Sequence, residues 1–406
     1  MGGRQALVPL ALLGMLGLGL GAAQVPGVAA ARAGAAGLLW TAPVGRNPSA
    51  VAVDEQTGRA FVVSQGDLDA YANPVGRGSV AVLDPRSGQR LATLTVGVAP
   101  VAVATDPRSG HVFVVNAGEG SVTILDGWRG RVLGVVAVGP GPRAVAVDVP
   151  DRRVIVASAG VADSMGTPIG AGSVSLLDAG SGQVVGTVAL GAAPLAVAVD
   201  QRRGHAVLLA ANRGLARGTL SVLDIRSRRI LGAAPTGWLP GAVAIDERLG
   251  RAFVIGQGNA PGAGLVTMVD TRAGRLVRTV PLPALPLAVA ADPRTGHVVV
   301  ATGAGALDVL DARTGALSRA IALTGYPAAA ALTINAAAGR AFLAIPTGDG
   351  VRTTVWVLAT QTGRPLRTLA TRGTLRAMAG SAGISALVVS ADPSGAGSAT
   401  MVTTPR

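Results

Sequence analysis

The chain contains no cysteine and no lysine, only three histidines, and just 2% aromatic residues. Without cysteine there can be no disulfide, thiolate metal site, acyl-lipid anchor, c-type haem attachment or thiol nucleophile. Without lysine, all 35 basic residues are arginine, and lysine-amine chemistry is excluded as well. The shortage of aromatics argues against a lectin and against a base-stacking nucleic-acid binder, despite a formal net charge of +13. Charged residues are also few, at 14%, while hydrophobic residues reach 49% and glycine numbers 58. A large core is therefore available, but it must be packed by Val, Leu and Ala, small and β-branched residues that suit closely layered sheets. Arginine as the sole cation, alongside abundant alanine and glycine, reads first as the mark of a GC-rich genome.

Of the 406 residues, the first 33 read as an export signal. Arg4 supplies a positive start, Ala6 to Ala23 is an apolar stretch, and Ala31-Arg32-Ala33 is a candidate cleavage site. An uncleaved membrane anchor is the alternative, since the run is near the lower limit for spanning a bilayer. The expected location is extracellular, periplasmic or cell-surface. Residues 34–406 read as one domain.

That domain is repetitive. A phrase Pro-x-Ala-Val-Ala-x-Asp begins at Pro48, Pro100, Pro142, Pro194, Pro240 and Pro286, with a degraded copy at Pro327 and another, lacking the proline, near Leu375. The proline-initiated copies start 41 to 52 residues apart, the period of a four-stranded β-propeller blade. Each unit reads as strands a to d. In the second, strand a is 101–105, b is 111–115, c is 121–125 and d is 131–138. Aspartates open the a–b and c–d turns (Asp106 and Asp126 in this unit, with Asp84, Asp178, Asp224, Asp270 and Asp311 after other c strands), and glycines close them. An aspartate side chain can accept backbone N–H groups two residues on, and glycine takes the positive φ.

The segment 38–45 resembles a lone d strand, while 375–379, 385–390 and 399–403 offer a, b and c with no d after them. Joining the two ends completes a split blade and leaves no unpaired edge. The expected architecture is an all-β propeller of eight blades, or seven if the last copy does not insert.

The stretch His111-Val-Phe-Val-Val-Asn-Ala-Gly-Glu-Gly-Ser-Val-Thr-Ile-Leu-Asp126 resembles the repeat of the YVTN family of β-propellers. Phe113-Val114-Val115-Asn116 matches its naming tetrapeptide with Tyr replaced by Phe and Thr by Val, and Val80–Asp84 and Val174–Asp178 match the phrase that follows it. The resemblance implies an exported or surface propeller and covers nearly all of the mature chain. Relatives by fold include quinoprotein-type dehydrogenase subunits and lactone hydrolases, but a shared propeller does not transfer an activity.

His111, His205 and His297 follow the glycine of the a–b turn, where other repeats carry Arg59, Arg251 and Arg340. They read as turn-flanking surface groups on separate blades, not as converging ligands or a triad. The four phenylalanines share one b-strand position and read as inter-sheet packing. Arginines crowd the a–b and c–d turns, which occupy one face. That face is a solvated mixed surface, or else a contact for anionic wall polymer or lipid headgroups.

The opposite face collects the b–c loops and the d-to-a crossings, and there the repeats differ in length. The candidate binding residues are Asp67, Asp69, Tyr71 and Arg77 in the first long loop and Asp163 in the third repeat's loop. Arg213, Arg217, Asn259, Asp349 and Arg352 belong to other b–c loops, and Trp238 and Tyr326 flank strand openings. Loop-length variation on one face of a repeat array marks a binding side. Asp67 and Asp69 are weak candidates for holding Ca²⁺, since two carboxylates alone do not make a cage. Two functions follow. The preferred one is a non-enzymatic scaffold that binds a protein or envelope component; the other is a quinoprotein- or lactonase-like enzyme or cofactor binder with its site at the channel mouth.

Overall fold

Short alternating strands separated by Asp/Gly turns cannot bury both faces alone, so they stack as sheets. A computed structural model of the chain describes residues 37–161, 171–211, 217–323, 330–336, 338–347, 351–381 and 385–403. Among these residues every regular element is a β-strand. Strands pair antiparallel with their sequence neighbours, giving four-stranded sheets in the order a-b-c-d. The second repeat comprises Pro100–Asp106, His111–Asn116, Ser121–Asp126 and Arg131–Ala137. Two repeats merge into one seven-stranded sheet because the 18-residue strand Arg229–Asp246 serves as d of one and a of the next. The turns form as the residue types dictate: Asp106 Oδ1 accepts the Arg108 N–H at 3.1 Å, Asp126 Oδ1 accepts those of Trp128 and Arg129, and Gly110 and Gly130 take φ of 69° and 62°.

The a strands form the inner ring. Pro48–Asp54 contacts Pro100–Asp106, which contacts Pro142–Asp148; the series continues round to Thr374–Ser381, which returns to Pro48–Asp54. Closure uses both ends of the chain. The first strand, Leu38–Arg46, pairs with the last, Ala396–Thr403, Thr41 opposite Thr400 and Ala42 opposite Ala399. The fold is a β-propeller whose ring is closed by an N-terminal outer strand.

The core is correspondingly a cycle of layers, each shared by two adjacent sheets. Trp40, Val44, Leu387 and Met401 of the closing sheet pack on Val51, Val62 and Leu83 of the first. Phe61, Val63 and Val82 face Val112, Val114 and Leu125 of the second. Phe61, Phe113, Phe253 and Phe342 are all buried, filling one equivalent position in their layers.

Two of the three histidines differ from expectation. His111 Nδ1 lies 2.9 Å from the Ala179 carbonyl oxygen and His205 Nδ1 lies 2.7 Å from that of Thr271, each in the c–d turn of the following repeat. Arg59 Nη1 donates at 2.7 Å to Gly127, the same acceptor position. These side chains are half-buried ties between blades, not surface groups. Arg59 fills the same role as these histidines, whereas Arg251 at the equivalent position turns to Asp270 of its own repeat.

Candidate functional site

The long first b–c loop builds a hairpin of its own. Asp67–Leu68 pairs with Pro74–Val75, and the tip is an aspartate turn. Asp69 Oδ1 accepts the N–H groups of Tyr71 at 2.8 Å and Asn73 at 2.9 Å, while the Asn73 amide reaches Oδ2 at 3.2 Å. The Asn73 N–H, with smaller help from Tyr71, holds the Asp69 carboxyl below its usual range. Bent by Ala72 at φ 62°, the turn presents Tyr71 with 87% of its surface exposed.

The foot of this hairpin is fastened in several places. Arg46 Nη1 pairs with Asp67 Oδ1 at 2.9 Å, and the Asn47 amide donates to the Gly66 carbonyl at 2.9 Å. Arg46 Nη2 also donates to Ser394, and the Asn47 N–H to Gly395, both in the b–c loop of the closing sheet. Asn47 turns this corner at φ 49°, a conformation that asparagine tolerates better than most residues. Arg77 Nε donates to Val96 at the hairpin's base.

Elsewhere on this face the structure brings together two expected residues. Arg217 and Trp238 are register partners across c and d, and the guanidinium lies 5.0 Å from the indole centroid. Asn259 is exposed in its own short loop, and the exposed Arg352 opens a c strand, its carbonyl accepting the Thr347 N–H. Asp163, Arg213, Tyr326 and Asp349 lie outside the described residues. The described ones therefore stand around the rim instead of converging. Asp67 is engaged by Arg46 and Asp69 by its own turn, and no group of three or more metal-ligating side chains occurs among the described residues.

Two arginines absent from the sequence-based list stand at the loop-side starts of inner strands. The residue after the opening proline is bulged out of the a–b register in several repeats, as at Pro142/Ala144 and Leu375/Ala377. Arg143 and Arg376 are those bulged residues, and both lie on the innermost strands. Desolvation alone pulls both guanidiniums below their ordinary range, with no carboxylate to offset it. Arg143 is nonetheless exposed and Arg376 half-buried, so both side chains reach solvent from inner strands. The signal that could have found them was the variable x of Pro-x-Ala, which is charged only in these repeats among those with a described residue at that position.

The opposite face turns its arginines largely to structure. Arg108 donates to Pro150, Arg203 to Glu247, Arg248 to Pro293 and Arg294 to Ala336, each a backbone carbonyl in the next a–b turn. Arg226 pairs with Asp151 at 2.6 Å. A shallow cleft of about 330 Å³ on this face is lined by Arg294, Arg340, Thr360 and Gln361. It sits between turns and gathers no carboxylate. One carboxylate is anomalous within the layers: Asp308, 3% exposed in the middle of a c strand, has no partner for Oδ2, and desolvation pushes its carboxyl up.

No family model matches the chain, and no curated protein matches it. Solved structures do. The chain is similar to hydrazine synthase from Kuenenia stuttgartiensis, at 16% identity and a TM-score of 0.57, over 79% of this chain and 97% of that one. The computationally designed Ika8 protein matches at 18% identity and a TM-score of 0.65, over 89% and 97%. Saccharomyces cerevisiae Sqt1 matches at 10% identity and a TM-score of 0.67, also over 89% and 97%. All three are β-propellers, and at these identities the likeness concerns the fold alone.

Proposed function

We propose that the chain is an exported, non-enzymatic scaffold that binds a protein of the cell envelope through the face carrying the b–c loops. In this reading it is a YVTN-type repeat protein of eight blades, the eighth split between the two ends of the chain. The cyclic succession of a strands supports that count over seven, and the N-terminal apolar segment provides the route of export.

The observation that carries the binding reading is Tyr71. Aromatics are scarce in this chain, yet one stands 87% exposed on a hairpin whose tip and foot are both fixed by hydrogen bonds and an ion pair. A rigidly presented tyrosine offers a large contact area at low entropic cost, as interface anchors do. The neighbouring Val75 is 57% exposed, and the Arg217–Trp238 pair supplies a second contact of the kind enriched at interfaces. The rim placement of these groups suits a broad protein surface better than a small substrate. An anionic-surface contact through the turn face is the weaker reading, because many of its arginines already hold neighbouring blades together.

A photo-crosslinking side chain at position 71, compared with one at the half-exposed Trp128 on the opposite face, tests this in the producing cells. One discrete protein adduct from position 71 and none from position 128 supports the proposal. Adducts from position 128 alone, or from neither, contradict it. The enzyme or cofactor alternative, with a quinone, Ca²⁺ or a lactone at the channel mouth, predicts instead a saturable thermal shift with that ligand, about 2.7 kcal/mol at a hundred times its Kd.

A further inference from the structure

We infer that the loop-side mouth of the central channel is a binding site for a small, multiply charged oxyanion, bearing phosphate or carboxylate groups, held between Arg143 and Arg376. The two side chains occupy the same bulged position of their inner strands. Other repeats place Ser49, Val101, Leu195, Gly241 and Leu287 there, so among the described residues this ring of equivalent positions is otherwise uncharged. Along the ring, the strands Pro48–Asp54 and Pro100–Asp106 separate them on one side. Four inner strands, beginning with Ala193–Asp200, separate them on the other. They therefore face one another across the channel instead of standing side by side on its wall, and a ligand near the axis is reached from both directions.

Neither guanidinium has a hydrogen-bond acceptor or an ion-pair partner among the described residues, and Arg376 Nε is buried without one. Other partly buried arginines behave otherwise: Arg153, Arg203 and Arg251 each pair with an aspartate at 2.9 Å. Among the described loop-face carboxylates, Asp67 is held by Arg46, Asp69 by its own turn, and Glu119 lies against Ser121. Two partly desolvated cations without a partner among the described residues leave their charge free for an anion. The planar guanidinium fork matches oxyanions in particular. The site is independent of any macromolecule bound at the rim, since it uses channel residues and no loop residue.

The test is isothermal titration of the full chain with inorganic pyrophosphate and, separately, citrate, at constant ionic strength, with chloride as control. The expected result is saturable binding of one anion per chain; a preference for pyrophosphate identifies a phosphate ligand and a preference for citrate a carboxylate one. R143Q or R376Q alone should weaken binding at least about tenfold, a loss of roughly 1.4 kcal/mol, and the double variant should abolish it. R226Q on the turn face should leave it unchanged. The unliganded single variants should melt no lower than the parent, because each loses a partly desolvated cation that has no partner among the described residues. R143K and R376K keep the charge but lose the fork, and should bind more weakly than the parent if a glutamine variant fails to fold. Absence of saturable binding by the parent chain overturns the inference, as does binding that survives the double or the lysine substitutions undiminished.

Discussion

Trp40 Nε1 donates a hydrogen bond of 2.9 Å to the carbonyl oxygen of Pro85, 45 residues further along the chain. Trp40 belongs to the closing sheet and Pro85 to the c–d turn of the first repeat, so the bond pins the seam of the ring from the side. The same indole lies over Gly88, where a Cβ would come within 2.6 Å of it, and Gly88 sits at φ 75°. Strand pairing and this lateral contact hold the first strand on two of its flanks.

Removing that contact should weaken the whole ring. W40A is expected to cost about 3–5 kcal/mol, the usual range for truncating a large core aromatic, read from urea unfolding. A chain that begins at residue 47 should lose cooperativity and associate, since Ala396–Thr403 then becomes an open edge. A shortened chain that stayed monomeric with an unchanged midpoint would show that closure contributes nothing.

The inter-blade ties are individually modest. H111A and H205A should each cost about 0.5–1.5 kcal/mol, the net worth of a hydrogen bond. Because they lie two blades apart, their effects should add in the double variant. Chemical denaturation measures both points, and an unchanged stability in either variant would remove that tie from the account.

Asp308 should destabilise the protein near neutral pH. Its folded pKa is raised above the ordinary carboxylate value of 3.8 by desolvation. Its contribution is therefore most favourable below that unfolded value and is lost as pH rises through the folded one. D308T places there the residue found at the equivalent Thr123 and Thr267, and should raise the melting temperature at pH 7. The gain should shrink as pH falls toward 3.8; a gain independent of pH would mean that packing, not charge, is responsible.

The turn aspartates titrate in the opposite sense. Backbone N–H donation from Ser181 and Ser227 lowers the pKa of Asp178 and Asp224, and the Thr314 hydroxyl does the same for Asp311. Their stabilisation is present above the ordinary carboxylate value and is lost as pH falls through their folded values. Acid unfolding below pH 3.8 should therefore shift to higher pH in D178A and D224A. An acid midpoint unmoved in both would contradict the role assigned to these turns.

The repeat made much of this architecture legible. Pro-x-Ala-Val-Ala-x-Asp located inner strands, and turn aspartates marked strand ends within a residue or two. Because closure depends on the pairing of two strand-like ends, residues 38–45 could be read as the missing outer strand. The length of the first long loop and its Pro74-Val-Gly-Arg-Gly78 ending agree with the hairpin formed there. What the sequence hid were relationships between repeats. Whether His111 faces solvent or the Ala179 carbonyl depends on how adjacent blades are packed, which no single repeat encodes. Arg46 was passed over because its partner Asp67 is 21 residues away across a corner. Arg143 and Arg376 were missed because a bulge, invisible as a pattern, turns that position from the layers toward the channel.

The most direct test of the binding face exchanges one loop. Replacing residues 65–76 with the five-residue b–c loop of the second repeat removes Asp67, Asp69 and Tyr71 while leaving the pairing of the flanking strands possible. Co-sedimentation with the cell-envelope fraction is then compared with the parent chain, alongside the melting temperature. The account predicts a folded protein with a closely similar melting temperature and association weakened at least about tenfold, roughly 1.4 kcal/mol. A folded protein that associates as strongly as the parent would place the binding surface elsewhere and contradict the proposed role of this face.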